Sequence, residues 1–82
     1  MMHIQIYSKE NCPFCTAAVR LASRVVREAS QQNHTLSKYM LDLDFTREQL
    51  LEKFPTAKTF PQITVDGFTI GGYKEFEKYI NG

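Results

Sequence analysis

Tryptophan is absent from this 82-residue chain, cysteine occurs twice, proline three times and glycine four times. The missing runs exclude more than the missing residues. Ten Lys and Arg are scattered among nine Asp and Glu for a formal charge of +1, so no basic stretch tracks a phosphate backbone and nucleic acid is not an expected partner. No apolar run approaches the roughly 20 residues that cross a bilayer. The opening Met1-Met2-His3-Ile4-Gln5 has neither the basic segment nor the apolar stretch of an export signal, so no membrane role is expected and the cytoplasm is the expected compartment. In a reducing compartment two cysteines make a poor structural staple, because a bridge over two intervening residues restricts the unfolded chain little. No repeat, low-complexity tract or linker divides the sequence, and residues 1–82 read as one domain, expected to act as a monomer.

What is present suffices for one modest core: 43% of the residues are hydrophobic, six of them Phe and four Tyr, and aromatic side chains bury much area each. His3 to Tyr7 alternates, which puts Ile4 and Ile6 on one face of a first strand. Pro13 suits a first helical position, where its missing N–H costs nothing. Ala18, Leu21, Ala22, Val25, Val26 and Ala29 then keep the spacing of a helix with one buried stripe. Leu36–Asp42 predicts a second strand, parallel to the first because a helix crosses between them. Thr46-Arg47-Glu48-Gln49 has the form of a capping box ahead of a short helix carrying Leu50, Leu51 and Phe54. Gln62–Val65 and Phe68–Ile70 flank Asp66-Gly67, a two-residue hairpin signal. Beyond Gly71-Gly72, Phe76, Tyr79 and Ile80 share a face of a terminal helix. Phe54, Phe60, Phe68, Phe76 and Tyr79 are spaced as core or near-core residues. The order strand, helix, strand, helix, strand, strand, helix predicts an α/β chain of the thioredoxin-like fold: a mixed four-stranded sheet with helices on both faces.

Cys12 and Cys15 stand at the junction of the first strand and first helix. Unpaired N–H groups and the helix dipole favour a thiolate there. Each unit by which a thiol is lowered takes about 1.4 kcal/mol, and a dipole supplies about 1 kcal/mol. A strongly activated sulfur therefore needs direct hydrogen bonds as well. One helical turn on, Cys15 lies close enough to pair with Cys12 while sitting deeper, so Cys12 is the expected nucleophile and Cys15 the resolving thiol. The competing reading is half a zinc site, which needs two more ligands with only His3 and His34 to offer; no metal is expected, with His3 read as strand and His34 as polar loop.

Three ordered blocks now resemble a glutaredoxin: Tyr7-Ser8-Lys9-Glu10-Asn11-Cys12-Pro13-Phe14-Cys15, Thr59-Phe60-Pro61-Gln62-Ile63, and Ile70-Gly71-Gly72-Tyr73. Phe14 and the lack of tryptophan separate the chain from thioredoxins. The resemblance implies reduction of protein disulfides and of glutathione mixed disulfides, with glutathione as reductant, no permanently bound cofactor, and disulfide proteins such as ribonucleotide reductase as recipients. It further implies a glutathione groove in which Lys9 lies near a carboxylate, Phe14 replaces the usual tyrosine as an aromatic wall, Pro61 is cis, and Phe60 offers its backbone beside Thr59. Gly71 and Gly72 let the backbone approach and open the last helix toward a carboxylate, with Lys58 adding positive charge. Tyr73-Lys74 departs from the polar or acidic pair usual in the family; Lys74 would meet the α-carboxylate, leaving Glu75 for the α-amino group. Two other readings share these residues: a redoxin recharged by thioredoxin reductase, and an iron-sulfur carrier holding a cluster through Cys12 and glutathione, which Pro13 disfavours.

Overall fold

A computed structural model describes residues 1–82. Strand β1 (His3–Ser8) leads into helix α1 (Pro13–Glu28), a single 3-10 turn (Ser30–Gln32), strand β2 (Thr35–Met40), helix α2 (Arg47–Lys53), strands β3 (Gln62–Val65) and β4 (Phe68–Gly71), and helix α3 (Tyr73–Asn81). The sheet order is β2-β1-β3-β4. β1 is parallel to β2 and antiparallel to β3, and β4 is antiparallel to β3. This is the mixed four-stranded arrangement with three helices that the pattern predicts.

Alternation along β1 sorts its residues between two layers. Ile4 and Ile6 point to one face, where with Ile63 and Val65 of β3 they meet Ala18, Leu21 and Ala22 of α1 and Phe76 of α3. Tyr7 points to the other, where it borders a smaller cluster of Phe45, Leu50 and Phe54 that carries α2. Capping decides where α2 starts: the Thr46 hydroxyl accepts from the Gln49 N–H at 3.2 Å, and the Gln49 side chain accepts from the Thr46 N–H at 2.8 Å. That is the reciprocal box expected from the sequence.

Four differences from the sequence pattern have local causes. β2 ends at Met40 rather than Asp42, because Asp42 takes a left-handed φ of 68° and the Leu43 and Asp44 amides fold back onto the Met40 carbonyl at 3.1 and 2.8 Å. Phe68 is 74% exposed on β4, an edge strand with a neighbour on one side only. Tyr79 is half exposed, since it falls off the stripe that Tyr73, Phe76 and Ile80 make along α3. His34 is not loop surface: it is buried, and its Nδ1 accepts from the Met2 N–H at 2.8 Å. His3 opens β1 and His34 lies just before β2, a strand's length from the cysteines that follow β1, so neither imidazole completes a zinc site with them.

Candidate functional site

β1 delivers the chain to the site and Asn11 turns it, with a left-handed φ of 54°. Cys12 then caps α1 in an extended conformation, with Pro13 in the first turn, where no backbone donor is lost. The Cys12 Sγ accepts from the Cys15 N–H at 3.2 Å, the kind of direct hydrogen bond that an activated sulfur at this junction requires. Cys12 and Cys15 are joined as a disulfide with their Cα atoms 5.2 Å apart, and both are buried. Below them the Ser8 hydroxyl donates to the Tyr39 carbonyl at 2.9 Å, tying the end of β1 to β2. A cysteine pair at a helix start can exchange its disulfide for two thiols, with donors in place to stabilise charge on the outer sulfur.

A second loop leads into β3. The Phe60-Pro61 peptide bond is cis, Pro61 is buried, and the Gln62 side chain donates to the Thr59 carbonyl at 2.8 Å, closing the loop on itself. The third loop is the glycine pair. Gly71 has a φ of 122°, and a Cβ there would lie 3.1 Å from the Glu75 side chain, so only glycine suits the position without strain. The Glu75 carboxylate accepts from the Gly72 N–H at 2.7 Å and caps α3 from within the chain.

A shallow groove of about 200 Å³ gathers Phe14, Thr59, Phe60, Gly72, Tyr73 and Lys74, together with Glu75. Six of the expected ligand-binding residues therefore meet, drawn from three separate stretches of sequence. Phe14 and Tyr73 stack with centroids 6.0 Å apart and planes inclined by 27°. The Lys9 Nζ stands 5.4 Å from the centre of the Phe60 ring, at one end of this arrangement. Lys58 is exposed and does not line the groove, and Gly71 serves as the bend that allows Glu75 to close in. Glu75 itself is the participant that the motifs understate. Its signal was the three-residue spacing from Gly72, a capping box without the usual hydroxyl or amide at its first position.

The glutaredoxin family model matches residues 4–70. The chain belongs to the glutaredoxin family. It is 30% identical over 80 residues to Glutaredoxin 1 of Escherichia coli, covering 96% of this chain and 93% of that one. Reduced E. coli glutaredoxin superposes with a TM-score of 0.82 at 29% identity, over 95% of this chain and 92% of that structure. A buckwheat glutaredoxin solved as a glutathione complex gives a TM-score of 0.59 at 25% identity, over 96% of this chain and 69% of its own. As a glutaredoxin with a paired cysteine motif, the protein is a thiol-disulfide oxidoreductase.

One titrating group beside the glutaredoxin groove departs from its ordinary behaviour. Partial desolvation, then the charge of Glu77 and the hydrogen bond to it at 3.2 Å, hold the Tyr73 phenol above its usual 10.0, with Arg24 acting weakly the other way. Tyr73 therefore stays a neutral donor to Glu77 throughout the neutral range, which keeps its ring in place against Phe14.

Proposed function

We propose that the protein reduces protein disulfides and glutathione mixed disulfides by a dithiol cycle that glutathione recharges. The observation that carries this is the hydrogen bond from the Cys15 N–H to the Cys12 sulfur at the start of α1, supported by a groove of aromatic and backbone groups that includes Phe14 of the same motif. In the cycle the Cys12 thiolate attacks one sulfur of a protein disulfide, the far sulfur leaves as a thiolate, and a mixed disulfide forms. Cys15 then attacks Cys12, expelling the second substrate thiol and closing the Cys12–Cys15 disulfide. Two glutathione molecules return the two electrons and depart as one oxidised dimer. With a glutathione mixed disulfide as substrate, Cys12 takes the glutathionyl group directly and a second glutathione removes it. Ribonucleotide reductase is one protein that such a cycle would serve.

For glutathione we assign the peptide wall to Phe14 and Tyr73, backbone pairing to Phe60 beside Pro61 and Thr59, and carboxylate contacts to Lys9 and Lys74, with Gly71 and Gly72 letting the backbone come close; Lys58, outside the groove, adds only to the positive charge around it. Glu75 complicates the far end. Its carboxylate already accepts from the Gly72 N–H, so a ligand carboxylate either displaces it or uses Lys74 instead.

The test is glutathione-coupled reduction of a small mixed disulfide and of a protein disulfide by the parent, Cys12→Ser and Cys15→Ser. Cys12→Ser loses both activities, whereas Cys15→Ser keeps the first and loses most of the second. Activity retained in Cys12→Ser would falsify the cycle. Glu75→Gln, which keeps a hydrogen-bond acceptor but removes the competing charge, lowers the glutathione KM several-fold; an unchanged or raised KM would place the ligand carboxylate elsewhere.

A further inference from the structure

A second depression, of about 170 Å³, opens on the other side of the cysteine pair, between α1 and the β1–β2 side of the sheet. Cys15 lines it, with Lys9, Arg20, Lys38 and Met40, and no acidic residue does. Lys38 is registered opposite Ile6, which puts its side chain on the same face as α1. Arg24 with Glu28 at 3.7 Å is the one ion pair in the molecule, so Lys9, Arg20 and Lys38 are all without an acidic partner. Along α1 the basic character continues through Arg24 and Arg27, and the only acid of that helix is Glu28, its last residue. The acids Asp42, Asp44, Glu48 and Glu52 are gathered at α2 and the turn before it.

An exposed cation is ordinarily just solvated, and a lysine on an edge strand has the separate use of discouraging sheet growth. Neither accounts for Arg20 of α1 and Lys38 of β2 lining one depression with Cys15 and no acid among its residues. We propose that this trough docks an acidic segment of the protein whose disulfide is being reduced, laid against α1 with its carboxylates on Arg20 and Lys38. The inference rests on the reading that Cys12 attacks the partner's disulfide. Two electrons pass from the Cys12 and Cys15 thiols to that disulfide, and the partner leaves as a dithiol. The trough changes none of this chemistry and selects which disulfides are presented to it. Complementary charge acts mainly on encounter and register, so the preference appears in kcat/KM and is screened by salt.

The experiment uses two synthetic peptides with the same internal disulfide, one flanked by aspartates and the other by lysines, assayed with glutathione as reductant at low salt and at about 0.5 M salt. The acidic peptide is reduced with about tenfold higher kcat/KM at low salt, and the gap narrows at high salt. The double variant Arg20→Glu, Lys38→Glu reverses the order, and Arg20→Gln, Lys38→Gln brings the two peptides close to parity. Both variants keep the parent's turnover of a small uncharged mixed disulfide, which also reports that they fold. Equal kcat/KM for the two peptides in the parent at low salt would overturn the proposal, as would an acidic preference that survives the charge reversal. Failure of the parent on the uncharged disulfide would instead overturn the glutathione cycle itself.

Discussion

The two faces of the sheet are built on different terms. On the α1–α3 face the packing is aliphatic and closed: Ile4, Ile6, Ile63, Ala18, Ala22 and the ring of Phe76 are all 0% exposed. On the α2 face three buried residues are surrounded by partly exposed aromatics, with Tyr7 5.2 Å from Phe54, 5.3 Å from Phe45 and 4.9 Å from Tyr39 between ring centres. The same face carries a polar relay, in which Thr64 donates to the Gln5 side chain at 2.9 Å and Gln5 donates to the Tyr39 hydroxyl at 3.3 Å. The closed face holds α1 and α3, whose starts carry Cys12 and the glycine pair. The aromatic face reaches Phe60 through its stack on Phe45, centres 6.4 Å apart. The site is thus held from both faces, Cys12 and the glycine pair by the closed one and Phe60 by the aromatic one.

Phe76→Ala should have the largest effect, removing about 3–5 kcal/mol because a fully buried ring leaves a cavity in a closed layer. Small domains have about 5–15 kcal/mol in total, so denaturant unfolding should find this variant near the limit of folding. Phe54→Ala on the aromatic face should cost less, about 2–3 kcal/mol, because its surroundings can relax toward solvent. It should also raise the glutathione KM several-fold with kcat nearly unchanged, through Phe45 and Phe60. An equal cost for the two variants, measured by urea unfolding, would erase the distinction between the faces. Thr46→Ala should cost about 1 kcal/mol by removing the α2 cap, and it should leave turnover of the small mixed disulfide as it is. Smallest is Tyr73→Phe. The phenol is raised in the folded state, so what its contact with Glu77 adds is full below pH 10, the ordinary value, and fades as pH rises through the raised one. Melting curves of parent and variant should accordingly differ slightly at neutral pH and converge in alkali.

The helices and strands were legible because each carries its own period or punctuation: alternation at Ile4 and Ile6, a capping box at Thr46, Asp66-Gly67 between two strands. The cysteine pair was legible from its two-residue spacing at a helix start, and the proline and glycine loops through the resemblance of their blocks to a glutaredoxin. Legibility stopped where a long-range or solvent-facing geometry decides. His34 looks like loop from its polar neighbours, and its burial follows from a backbone donor 32 residues away. Phe68 and Tyr79 have the composition of core residues, and only the sheet edge and the exact helical phase expose them. The trough beside Cys15 draws on β1, α1 and β2 together, a convergence no local window contains.

The bond from Gly72 to Glu75 ties the last helix to events in the groove. A carboxylate that displaces Glu75 takes over the Gly72 amide and leaves the Glu75 side chain free in water. A ligand that stays on Lys74 leaves the original bond intact. Glu75 is tethered and so has no translational freedom to lose, which means an incoming carboxylate must be held by other contacts before it wins the exchange. The Gly72 amide is therefore a reporter built into the backbone: its proton changes acceptor in one binding mode and keeps it in the other, and its NMR resonance distinguishes them without any label on the ligand.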